Sequence, residues 1–98
     1  MFRHIVLYRL RPELGMQAKQ RIDELIRSLA TAVPEVLEVQ TGPNLGPADF
    51  TKGYDWGLCM RFADRESRDA YMQHAFHLRV AELVEQLIDD LVVLGLQA

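Results

Sequence analysis

Leu91-Val92-Val93-Leu94-Gly95-Leu96 alternates as a β-strand does, yet both of its sides are apolar. A strand of this kind has no face suited to water, so the sheet that contains it needs cover on both sides. Working outward, residues 2–10 form a strand that sends Phe2, His4, Val6, Tyr8 and Leu10 one way and Arg3, Ile5, Leu7 and Arg9 the other. Residues 54–62 form another, with Tyr54, Trp56, Leu58, Met60 and Phe62 opposite Asp55, Gly57, Cys59 and Arg61. Residues 36–42 supply a fourth strand, bounded by Pro34 and Pro43.

Between the strands the period becomes helical. Ile22, Leu25, Ile26, Leu29 and Val33 make an apolar stripe through residues 14–33, and Lys19, Arg21, Asp23, Glu24 and Arg27 fall largely off it as a solvated face. Asp64 is placed to cap a short helix ending at Tyr71 or Met72. A break around residues 74–76 precedes a helix over 77–88, striped by Val80, Leu83, Val84, Leu87 and Ile88, and Asp89-Asp90 turns the chain into the last strand. Residues 43–53, with two Pro and two Gly, read as a long loop. The order β-α-β-β-α-β predicts an α+β, ferredoxin-like fold with an antiparallel four-stranded sheet in one domain spanning residues 1–98. Helices in this topology cover one sheet face, so the other is predicted to pair with a second copy in an isologous homodimer.

Composition narrows the function classes. A net charge of −3 with no basic cluster gives no electrostatic footprint for nucleic acid. No apolar stretch approaches the roughly 20 residues of a membrane span, and Arg9 and Arg11 cut short any leader-like run, so no membrane partner and a cytoplasmic location are expected. Cys59 is the only cysteine, which excludes a disulfide framework and a thiolate metal site.

The chain has three histidines. His4 interrupts the first strand, while His74 and His77 lie in Ala70-Tyr71-Met72-Gln73-His74-Ala75-Phe76-His77. An imidazole in an apolar setting is either hydrogen-bonded scaffolding or chemistry. His74 reads as structural or exposed. The i, i+3 pair with His4 as a third ligand is a thin metal pattern, because no acidic residue stands at a motif distance; neither metal nor cofactor is expected. The glycines of residues 42–53 lead into no helix, so a phosphate cradle is not expected either.

Four segments, in order, carry a resemblance: Phe2-Arg3-His4-Ile5-Val6-Leu7-Tyr8-Arg9-Leu10-Arg11-Pro12; Gly42-Pro43-Asn44-Leu45-Gly46-Pro47 followed by Gly53-Tyr54-Asp55; Phe62-Ala63-Asp64-Arg65-Glu66; and Tyr71-Met72-Gln73-His74-Ala75-Phe76-His77. Together they resemble the stress-responsive A/B barrel (Dabb) domain family across residues 2 to about 96. Ala75 departs from the usual Pro and Phe76 from the usual small residue. The resemblance implies a dimeric α+β barrel with a cavity between sheet and helices in each subunit. Most members have no assigned reaction, and a few are polyketide cyclases acting on linear poly-β-keto thioesters. In those enzymes the working residues match His4, Tyr71 and His77 here.

Ring closure at a carbonyl needs a base for the α-proton and a donor for the developing oxyanion. His77 at a helix start would be the base, Tyr71 the donor, and His4 would hold the tautomer of His77 or bind a second carbonyl. The same three side chains also suit a packed, hydrogen-bonded core. Two function classes follow: a homodimeric binding or stress-associated module whose apolar cavity holds a small hydrophobic oxygenated ligand, and a cofactor-independent cyclase or lyase. A cofactor-free monooxygenase is a third, more distant reading.

Overall fold

Strict alternation in β1 (Phe2–Leu10) buries Phe2, His4, Val6, Tyr8 and Leu10 and leaves Arg3 and Arg9 exposed. The computed structural model describes residues 1–98, in the order β1, α1 (Met16–Ala32), β2 (Glu38–Pro43), α2 (Ala48–Thr51), β3 (Trp56–Phe62), α3 (Arg65–Gln73), α4 (Ala75–Glu85) and β4 (Ile88–Gln97). The strands form one antiparallel sheet in the order β2-β3-β1-β4, which puts β1 near its centre and β4 at an edge. In this register His4 lies between Met60 of β3 and Gly95 of β4. The α+β, ferredoxin-like architecture is therefore the observed one.

All five residues of the first apolar stripe, Ile22, Leu25, Ile26, Leu29 and Val33, are buried against the sheet face that carries Val6, Leu58, Met60 and Phe62. The opposite face holds Ile5, Leu7 and Cys59 half-buried, and along the edge Val92, Leu94 and Leu96 remain 44%, 48% and 52% exposed. Leu91 and Val93, on the helix side of β4, are 41% and 49% exposed. The doubly apolar strand thus stands uncovered on both sides within one subunit, and the sheet is not closed.

The structure moves several boundaries. Only His74 separates α3 from α4, because its Nδ1 accepts the Phe76 N–H at 3.1 Å and starts the second helix at Ala75 rather than at residue 77. Ala75 occupies the first helical position, where Pro is also at ease, so the departure from Pro leaves the corner intact. Asp89-Asp90 is not a turn: β4 already begins at Ile88, and Arg9 pairs with Asp90 just before a register shift. Asp90 is held there by the Tyr54 hydroxyl at 2.7 Å and by Arg9 at 3.5 Å. The loop over 43–53 contains the single helical turn α2, closed by Lys52 and Gly53 at positive φ. No helix is long and apolar enough to cross a membrane.

Candidate functional site

Three elements converge on His4. Alternation points it from β1 to the helix side of the sheet, where it is 3% exposed. Asp64 caps α3 by accepting the Ser67 N–H at 2.7 Å, and this sets the helix phase that turns Tyr71 inward. The one-residue corner at His74 then brings His77 of α4 back over Tyr71, with ring centroids 4.3 Å apart at 48°. Tyr71 also meets His4 edge-on at 5.9 Å and Phe62 at 5.2 Å, so its ring stands between the two imidazoles.

These side chains line a cavity of about 320 Å³ between the sheet and α1, α3 and α4, at the small end of the range for small-molecule sites. Apart from His4, His77 and Glu85, every lining residue is hydrophobic or a tyrosine. Leu78, Glu85 and Leu91, all exposed, mark the mouth. Phe76 is packed against the core and does not line the cavity, so the large side chain between the histidines leaves the space open.

His77 Nδ1 lies 3.2 Å from the Met72 carbonyl oxygen. A carbonyl only accepts, so Nδ1 carries the hydrogen and Nε2 of the neutral ring keeps a free lone pair. Burial pushes the His77 imidazole below its usual value, and the neighbouring His74 adds to this while the Met72 carbonyl opposes it. His4 is driven down to about 4, first by burial, then by the Arg68 guanidinium and by His77. Burial raises both the Tyr71 and the Tyr8 phenol, with Tyr71 adding to the effect on Tyr8. At neutral pH the site is thus composed of two neutral imidazoles and two neutral phenols.

Tyr8 escaped the sequence reading. It is 5% exposed and lines the same cavity four residues along β1 from His4; the available signal was its place on the His4 face of the strand. Neither phenol hydroxyl, nor Nε2 of either imidazole, has a protein hydrogen-bond partner. The one fully enclosed side-chain N or O without a partner is Glu35 Oε2, so none of these four atoms is sealed off, and all four belong to residues that line the cavity. Of the two roles read for His4, holding the His77 tautomer falls instead to the Met72 carbonyl, a backbone group. His74 serves as the α4 cap, and no group of three or more His, Cys, Asp or Glu side chains is placed to hold a metal ion.

Comparison with known proteins places this geometry in context. The family model described as the stress responsive A/B barrel domain matches residues 2–97. No curated protein matches the sequence. Among solved structures, one from Arabidopsis thaliana superposes with a TM-score of 0.94 at 14% identity, covering 100% of this chain and 95% of its own. A dimeric ferredoxin-like protein of unknown function from Jannaschia sp. CCS1 gives 0.84 at 23% identity, with 99% and 98% covered. A hydroxynitrile lyase from Passiflora edulis gives 0.86 at 24% identity, with 97% and 90% covered. At these identities the likeness is one of fold.

Proposed function

Since the chain belongs to the stress responsive A/B barrel domain family, we propose that it forms a homodimer through its open sheet face and that each cavity binds one small oxygenated apolar molecule and moves a proton on it. The dimeric state of structural relatives and the uncovered Val92, Leu94 and Leu96 support the first half. The observation that carries the second is the Met72 carbonyl on His77 Nδ1, which leaves a bare Nε2 beside the Tyr71 phenol in an apolar space.

Cofactor-free addition or elimination at a carbonyl is the chemistry that such a set performs, in a lyase or a cyclase. Take an α-hydroxynitrile, the substrate class named for the Passiflora relative. His77 Nε2 takes the hydroxyl proton. The oxygen's electron pair becomes the C=O π bond as the carbon–carbon bond to the nitrile breaks and cyanide leaves with that bond's pair. The proton passes from the imidazolium to cyanide, giving an aldehyde or ketone, hydrogen cyanide and the enzyme unchanged. In a ring closure the same nitrogen takes an α-proton instead, and Tyr71, with Tyr8 as a second donor, holds the enolate oxygen.

Two probes test this: an aromatic cyanohydrin and a linear poly-β-keto thioester. Wild type is expected to turn over at least one, with His77→Gln losing on the order of a hundredfold in kcat and Tyr71→Phe losing less. Saturable binding of either probe with no turnover would leave a carrier cavity and remove the catalytic roles. Neither binding nor turnover of either probe would refute the proposal.

A further inference from the structure

Arg68 is a cation packed behind His4, outside the cavity lining. It sits on α3 one helical turn before Tyr71, with its side chain only 17% exposed. Its guanidinium lies over the Phe2 ring at 4.7 Å, its Nε reaches Asp69 Oδ1 at 3.0 Å, and its Nη1 stands 3.5 Å from His4 Nδ1. The space it uses exists because residue 95, directly across the ladder from His4, is glycine. A Cβ there would come within 2.8 Å of Phe2 Cζ and 3.4 Å of Arg68 Nη1. The notch, the stacked ring and the carboxylate together fix the guanidinium against one nitrogen of His4.

A guanidinium has donors and no acceptor. Nδ1 of His4 therefore faces a donor and is the bare nitrogen, and the proton of the neutral ring resides on Nε2. Arg68 does not line the cavity, whereas His4 does. We propose that Arg68 is a positioning residue that locks His4 as the Nε2–H tautomer, making it a hydrogen-bond donor to the ligand oxygen. The two imidazoles then hold opposite tautomers on the two sides of Tyr71: His77 accepts through Nε2, and His4 donates through Nε2. The ligand class that satisfies both is one with a carbonyl or alkoxide-forming oxygen for His4 and an acidic O–H or C–H for His77. The ligand assignment rests on the carbonyl chemistry proposed above; the tautomer assignment does not.

The test is imidazole nitrogen NMR on ligand-free protein labelled with 15N-histidine, where protonated and bare ring nitrogens resonate far apart. Wild type is expected to show His4 with Nδ1 bare and Nε2 protonated, and His77 with the reverse. Arg68→Met should shift His4 toward a mixture or toward Nδ1–H while His77 stays unchanged. Arg68→Lys, which keeps a donor, should restore the wild-type pattern at least in part. A His4 ring protonated at Nδ1 in wild type, or an Arg68→Met spectrum identical to wild type, overturns the proposal. The wild-type spectrum alone decides the first point should the variant fail to fold. In turnover of whichever probe reacts, Arg68→Met should lower kcat on the order of tenfold, with Arg68→Lys intermediate. If neither probe reacts while the tautomer moves as stated, the positioning role stands and the carbonyl reading falls.

Discussion

Acid should destabilise this protein through His4 ahead of the Asp64 and Asp90 carboxylates. In the folded chain the His4 imidazole is held at about 4 against an ordinary value of 6.5, so the unfolded chain binds protons more strongly through the window between them. Stability is then fully present above about pH 6.5 and is lost as pH falls toward 4. From about pH 7.5 to about pH 5 the two values give a loss of roughly 2 kcal/mol from this one residue, at ~1.4 kcal/mol per unit of pKa. The window is well chosen, because Asp64 and Asp90 are held below an ordinary value of 3.8 and so act mainly below it. His77, shifted in the same direction, adds to the loss in every protein that retains it. The assay is urea unfolding at the two pH values, with protein concentration fixed so that subunit association does not vary. Wild type should lose about 2 kcal/mol more than His4→Gln over this interval. Equal losses in the two proteins would mean that His4 reaches solvent or an acid partner in the folded state, and the burial that depresses its imidazole would be refuted with it.

His74→Ala removes the side-chain acceptor that starts α4 and should cost about 1 kcal/mol, read as a lower midpoint in urea at neutral pH; an unchanged midpoint would show that the corner is set without the cap. Leu94→Lys puts a charge in the middle of the exposed apolar edge, 48% exposed in one subunit, and should halve the mass seen in sedimentation while leaving the far-UV circular dichroism intact. A dimer that survives this change would place the interface elsewhere.

The fold was legible because its two signals, alternation in the strands and the i, i+3, i+4 stripe in α1, depend on single residues and the period of the backbone. His4 was placed correctly for the same reason: in a strand, its neighbours Phe2 and Val6 fix the side on which it emerges. The site was legible only in part. Tyr8 lies on that same face, but a strand tyrosine reads as packing until a cavity is seen beside it. Arg68 sits in Arg65-Glu66-Ser67-Arg68-Asp69, which looks like any solvated first turn of a helix. Its burial depends on a glycine 27 positions away on β4. The partner of His77 is a main-chain carbonyl, which no side-chain pattern can announce. The misplaced start of α4 has the same origin, a histidine acting as a cap where Ser, Thr, Asp or Asn is the usual signal.

What remains is why an apolar cavity, behind the Glu85 at its mouth, should hold two imidazoles and two phenols with no formal charge among them. An isolated ion in so small and apolar a space would cost several kcal/mol, so the fold keeps each group neutral by burial and spends its single nearby cation outside the lining. Neutrality is useful only if the tautomers are fixed, because an imidazole that exchanges its proton freely is donor and acceptor in turn. A carbonyl fixes His77 from the corner between α3 and α4, and a guanidinium faces His4 across the Gly95 notch. A lipid-filled pocket would gain nothing from either contact. A site that must tell one oxygen from another, or take a proton from one atom and donate to its neighbour, depends on both.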